Sequence, residues 1–183
     1  MAEASQEAVP LVILDVGCGR HKRGDVGVDL SRNSLADVIA DAHHLPFRDE
    51  GFDIVISHHM IEHLKKPEHS VKEMLRISKG QVKIVCPHRF GHYAKIASDH
   101  INFFNKRWFG RLAGKLNVKE NVRTTFEPAI YFGLFGLFMR PSELVVEYRK
   151  TLTQKSMERI PCFSPMLKVV QENTLTQTTT PIM

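Results

Sequence analysis

The sequence predicts an open, mostly parallel α/β sheet, and three observations carry that expectation. Short apolar runs without polar alternation, such as Leu11–Leu14 and Ile54–Ile56, suit strands buried on both faces. Helical patterns separate the later runs, and alternating strand and helix points to parallel pairing. Glycines or acids follow the first two runs, Gly17 and Gly19 after one and Asp29 after the other, where open sheets of this class bind nucleotide-type ligands.

In chain order, Val9–Val16 reads as the first strand, and Gly17 and Gly19 let the backbone turn sharply and approach a ligand. Only residues 20–26 lead to the second strand, Val26–Leu30. Parallel neighbours usually need a dozen or more connecting residues, so the first crossover is trimmed to a turn or short coil. Leu35–Ala40 is a short helix or strand leading to Asp41. Phe52–Ser57, opened by Gly51, is a buried strand. A helix follows, with Pro67 at its start, Val71, Met74, Leu75 and Ile77 on one face, and Lys79-Gly80 as a stop. Gln81–Cys86 is the next strand, closed by Pro87. Asn105–Leu116 places Trp108, Phe109, Leu112 and Leu116 at helical spacing, and Asn121–Glu127 and Glu143–Arg149 alternate as strands do.

Two segments fall outside that plan. Ala129–Met139 is apolar and uncharged but too short to span a bilayer, so it is a buried or interfacial loop. Residues 151–183 are expected to form a partly disordered C-terminal tail, with a Thr-rich stretch over Thr174–Pro181. The 183 residues, 43% of them hydrophobic, therefore divide into one domain over 1–150 and that tail. Residues 1–10 lack a basic-then-apolar leader pattern, and a cytoplasmic location is expected. Cys18, Cys86 and Cys162 are odd in number and far apart, which points to reduced thiols. The net charge is +5, and residues 81–183 hold 15 of the 25 basic and 7 of the 20 acidic side chains. That cationic half keeps nucleic acid open as a partner class, although no tight basic run appears.

The glycine turn is not a dinucleotide fingerprint, because Lys22 stands where the third glycine belongs and the acid arrives too early. Five pieces in order instead carry a family resemblance. They are Leu14–Gly19, Val28–Ser31, Ala40–Phe47, Phe52–Ser57 with Ile61–Leu64, and Val82–Pro87. Over about 11–150 the chain resembles class I S-adenosylmethionine-dependent methyltransferases, in particular the small type 11 group. The resemblance implies a doubly wound, Rossmann-like sheet with an antiparallel last strand, S-adenosyl-L-methionine as cofactor, and methyl transfer as the activity. It gives the ribose to Asp29 and the adenine amine to Asp41, with Ala42 and His43 lining the ring through their backbones. The turn at Gly17, Cys18 and Gly19 would meet the methionine carboxylate, and Asp15 would either fix the turn or bond the ammonium. Leu30, Ser57 and His58 complete the implied cofactor contacts. Arg20 is either a partner of the cofactor carboxylate or a solvated loop residue.

Removing a proton from an acceptor near neutral pH suits histidine, and His59, His63 and His100 are the candidate catalytic residues, with His88 a further one. His59-Met60-Ile61-Glu62-His63 also matches the His-x-x-Glu-His pattern of inverted zinc peptidases. Its context, after a buried strand, disfavours that zinc hydrolase, and no residue is assigned to a metal. Ubiquinone-pathway O-methyltransferases resemble the segment as well and use acids and a histidine here for a divalent metal, but this chain has His59 where they have an additional acid, so the resemblance carries over no metal dependence. The expected acceptor is a small molecule or lipid rather than nucleic acid, because no Asn-Pro-Pro-Tyr-type motif follows Phe52–Ser57. A lipid would suit peripheral membrane contact through 129–139. The alternative is a cofactor-binding module or partner subunit without transfer activity.

Overall fold

The computed structural model describes residues 10–129 and 138–150. That range forms seven strands, β1 (Ile13–Val16), β2 (Val26–Asp29), β3 (Val38–Ile39), β4 (Phe52–His58), β5 (Ser78–Pro87), β6 (Val118–Ala129) and β7 (Phe138–Lys150). Its helices are α1 (Pro67–Ile77), α2 (His92–Ile96) and α3 (Lys106–Leu116). All seven strands join one sheet in the order β3-β2-β1-β4-β5-β7-β6. Strands β1 to β5 pair in parallel, and β7 runs antiparallel to both β5 and β6. From β1 the order runs outward one way through β2 and β3 and the other way through β4 and β5. The connections therefore diverge at the carboxyl ends of β1 and β4 and leave a crevice there.

The core follows from the apolar runs. Leu14, Val55, Val82 and Ile84 are fully buried in the sheet, α1 covers them with Val71, Met74 and Ile77, and α3 adds Phe109, Leu112 and Ala113. Tyr148 of β7 is also fully buried, and its hydroxyl donates to the Phe109 carbonyl at 3.0 Å, which ties the sheet to α3. Asn105 caps α3 by accepting from the Trp108 N–H, and Asn117 ends it in the left-handed conformation, φ 51°.

Several boundaries differ from expectation for identifiable reasons. β1 begins only at Ile13, because the Val12 and Ile13 N–H groups donate to the carboxylates of Asp53 and Asp25. Leu35–Ala40 resolves as a two-residue strand. The expected helix stop at Lys79-Gly80 already lies in a strand, since buried Ser78 both ends α1 and pairs with Phe52. β6 and β7 extend well beyond the alternating stretches, pairing from Val118↔Lys150 to Ala129↔Phe138. Ala129, Phe138 and Met139 thus belong to this ladder rather than to a loop, while 130–137, the tail over 151–183 and Cys162 lie outside the described residues. Among the described residues no helix is long and apolar enough to cross a membrane.

Candidate active site

At the carboxyl ends of β1, β2 and β3 an open cleft is lined by Val16, Gly17, Val28, Asp29, Leu30, Ala40, Asp41, Ala42, Met60 and Leu64. Its floor is apolar and its two acids stand on neighbouring strand ends. Asp29 is held by its own chain, Oδ1 accepting from the Ser31 N–H at 2.8 Å and Oδ2 from the Gly19 N–H at 2.8 Å. Each oxygen keeps a lone pair for a hydroxyl donor. Asp41 Oδ1 accepts from the His43 N–H at 2.8 Å and lies 2.6 Å from His43 Nδ1, and both of these contacts fall on Oδ1 rather than Oδ2. Those bonds, the backbone one first, hold Asp41 below the usual carboxylate range. Leu30 is 72% exposed beside them, an apolar surface for a flat ring to cover.

The glycine turn is built for two different reasons. Gly17 has φ +74°, and a Cβ there would stand 2.3 Å from Met60 Cγ, so this glycine admits the Met60 side chain that walls the cleft. Gly19 has φ +52° and nothing within 4 Å of where a Cβ would point, which leaves its backbone open to an incoming group. Asp15 is fully buried, and its Oδ2 accepts from the Arg23 N–H at 2.8 Å, tying down the loop after the turn. Burial pushes its carboxyl up, with that N–H opposing. Cys18 packs inward against Gly27, 2% exposed, so only its backbone is available to a ligand. Ser57 is likewise buried. These contacts fit a ligand carrying a ribose, a purine and a charged amino acid end, as S-adenosylmethionine does.

A second cluster gathers past β4. His59 adopts φ +50°, unusual for a non-glycine residue, and lies between two acids. Its Nε2 is 2.8 Å from Glu143 Oε1, and its Nδ1 is 3.3 Å from Glu62 Oε1. The nearby Glu62 carboxylate is the largest influence raising its basicity, against desolvation, and the hydrogen bond to Glu143 adds to it. His59 is thereby suited to remain a cation rather than to accept a proton. His58 is the opposite case, since burial and the charges of His59 and Arg23 lower its pKa and favour neutral imidazole. His88, after β5, is lowered by burial as well. Residues 61–63 form only a single 3-10 turn. His59 therefore lies outside any helix that would align it with His63, and the inverted zinc-peptidase geometry does not form.

Of the expected cofactor residues, Gly17, Asp29, Leu30, Asp41 and Ala42 line one cleft, and Gly19 and His43 are bonded directly to its acids. Met60 and Leu64 were missed as lining residues, although Leu64 ends a family piece. Glu143 was also missed, and it lies 84 positions from the His59 it meets. No local pattern marks that pairing.

Residues 14–86 match the family model described as a methyltransferase domain. Among curated proteins the chain is 30% identical to ajmaline N-methyltransferase of Rauvolfia serpentina, over 43% of this chain and 36% of that one. It is 33% identical to a probable tRNA methyltransferase 9B of Mus musculus, over 36% of this chain and 19% of that one. The matched region thus spans about a third of the first relative and a fifth of the second. In fold the chain is similar to a SAM-dependent methyltransferase from Thermotoga maritima described as a possible histamine N-methyltransferase. The TM-score is 0.62 at 18% identity, over 79% of this chain and 84% of that one.

Proposed function

We propose that this chain, whose residues 14–86 match a methyltransferase domain, transfers a methyl group from S-adenosylmethionine to a small-molecule or lipid acceptor. The carrying observation is the cleft that holds Asp29 and Asp41 side by side, each fixed by backbone N–H groups and each keeping acceptor capacity. Asp29 receives the ribose hydroxyls and Asp41 the adenine amine. Leu30 and Ala42 cover the ring, and the Gly19 backbone turns toward the methionine end. The cofactor supplies a sulfonium methyl already activated for in-line displacement, so the chain's task is alignment and, for a hydroxyl or thiol acceptor, proton removal. His58, held neutral at the end of β4, takes that proton, while His59 stays charged between Glu62 and Glu143.

A hydrophobic acceptor is favoured by the apolar side chains near the late strands. Phe126 and Met139, at 57% and 54% exposed, lead into 130–137, and Phe90 and Phe103 are exposed as well. Such surfaces commonly mark ligand or membrane contact. A tRNA acceptor is the second reading, favoured by the basic second half and by the tRNA methyltransferase relative.

Titration calorimetry with S-adenosylhomocysteine, followed by methyl transfer from labelled cofactor to extracted lipids, small amines and phenols, and total tRNA, tests both readings. Saturable binding with transfer to a lipid or small molecule is expected. Transfer to tRNA alone would replace the acceptor assignment, and binding without any transfer would favour a partner subunit. A folded chain that fails to bind would sink the methyltransferase reading.

A further inference from the structure

The two faces of the sheet are covered unequally. Residues paired directly across strands share a face, and the row Leu14, Val55, Val82 and Tyr148 is fully buried beneath α1 and α3. The positions that alternate with these point the other way. There Ile54, Ile56 and Val145 are only half-buried. Beside them in register stand four exposed cations, Arg149 and Lys119 in the row of Ile54, Lys83 next to Ile56, and Arg123 next to Val145.

The handedness of the connections explains the difference. Right-handed crossovers that step from β1 out to β2 and β3 lie on the face opposite to the crossover from β4 to β5, which carries α1. Residues 17–25 and 30–37 make those two outward steps without a helix. The first of these loops seals only β1, where the Arg23 N–H donates to buried Asp15 at 2.8 Å. Ile56 pairs with Asp15 in register and lies beyond that seal. Parallel strands are ordinarily covered on both faces, and the layer these two crossovers would supply is absent among the described residues.

The chemistry of the open face selects its occupant. Lys83, Lys119 and Arg123 form no ion pair among the described residues, and Arg149 reaches only Glu147 of its own strand, at 3.9 Å. A second copy of this chain, docked by the same face about a two-fold axis, would set these cations against themselves. RNA held on a sheet stacks its bases on aromatic rings, and these rows contain no Phe, Tyr or Trp. A helix with an apolar stripe and acidic flanks meets both the aliphatic centre and its cationic border.

We propose that this face of the sheet docks an acidic amphipathic helix of a partner protein. Its apolar stripe covers Ile54, Ile56 and Val145, and its carboxylates meet Lys83, Lys119, Arg123 and Arg149. The partner thereby supplies the second layer of the α/β fold. The surface does not depend on the methyltransferase reading.

The test uses the full chain and a fluorescein-labelled synthetic peptide of about 20 residues, long enough to hold a helix, with leucine on one face and glutamate on the other. Fluorescence anisotropy should show saturable one-to-one binding. Affinity should be at least tenfold higher than for a twin with lysine in place of glutamate, and than for a scrambled peptide of the same composition. Lys83→Glu combined with Arg149→Glu should weaken binding at least tenfold, as should Ile56→Asp, while Arg111→Glu on the exposed side of α3 should stay within twofold. If Ile56→Asp fails to fold by circular dichroism, the double charge variant decides, since both of its sites are exposed. Absence of saturable binding, equal binding of the scrambled peptide, or equal losses in Arg111→Glu and the double variant would each overturn the proposal. So would tighter binding of poly(U) or of phosphatidylserine vesicles that the double variant abolishes, which would give the face to RNA or to a membrane.

Discussion

Two groups of acids stand near the same end of the sheet and are wired in opposite ways. Asp29 and Asp41 take their hydrogen bonds from N–H groups two residues on, with Gly19 across the turn as the one longer partner. Glu62 has buried oxygens that meet no backbone N–H, and it faces the rings of His59 at 3.3 Å and His100 at 3.9 Å, with Glu143 reaching His59 from β7. The cleft acids are thus preorganised by local chain and face solvent, ready for a neutral, hydrogen-bonding ligand. The buried acid answers to charge brought by other segments. Similar residues at similar places can therefore serve hydrogen-bond recognition in one case and charge compensation in the other.

The contrast breaks most readily at Asp29. Asp29→Ala should weaken S-adenosylhomocysteine binding by tenfold to a hundredfold, since hydrogen bonds to a charged group contribute about 1.5–3 kcal/mol. Glu143→Gln should change that affinity less than twofold, and an equal loss in both variants by calorimetry would show that the two regions act as one. A finer cut is Asp41→Asn, which keeps an oxygen acceptor while removing the charge. A threefold to tenfold loss is expected, about 0.5–1.5 kcal/mol. No loss in the same titration would take Asp41 out of the adenine site.

The smallest effect sharpens the local side of the comparison. Behind Asp41, Glu73 accepts from the Leu45 N–H at 3.1 Å, and Arg76 donates to the Leu45 and Phe47 carbonyls, clamping this loop to α1. The Arg76 bond is the main cause that holds Glu73 below its usual value of 4.5. A depressed carboxylate contributes fully above its unfolded value, and the contribution is lost as pH falls through the folded one. Urea denaturation should therefore find Glu73→Gln less stable at pH 7 by about 1 kcal/mol or less, with the difference shrinking below about pH 4.5. A difference that grows toward acid would contradict the clamp.

These wiring patterns also decide what could be read in advance. Asp29 and Asp41 were legible because their structure is local, an acid after an apolar run with donors two residues on. The α1 face was legible for the same reason, and Val71, Met74 and Ile77 are fully buried as their spacing requires. The 3-10 turn at 61–63, the His59–Glu143 contact and the full length of β6 and β7 depend on partners tens of residues away. No window of sequence contains them. Gly17 was read from the sequence as letting the backbone approach a ligand; that its absent Cβ also makes room for Met60, a contact between a turn and the segment after β4, was not legible.

The sheet ends in two very different borders. Among the described residues, β3 borders the sheet with two residues of backbone, while β6 borders it with 12. A long row of unpaired N–H and C=O groups is a template on which another chain can polymerise. Lys119, Glu120 and Arg123 project from β6 into solvent and Pro128 removes one donor, so a second strand would meet buried charge and a gap in the ladder. The antiparallel extension thus enlarges the sheet and lengthens its border, and the charged side chains along that border oppose edge-to-edge pairing.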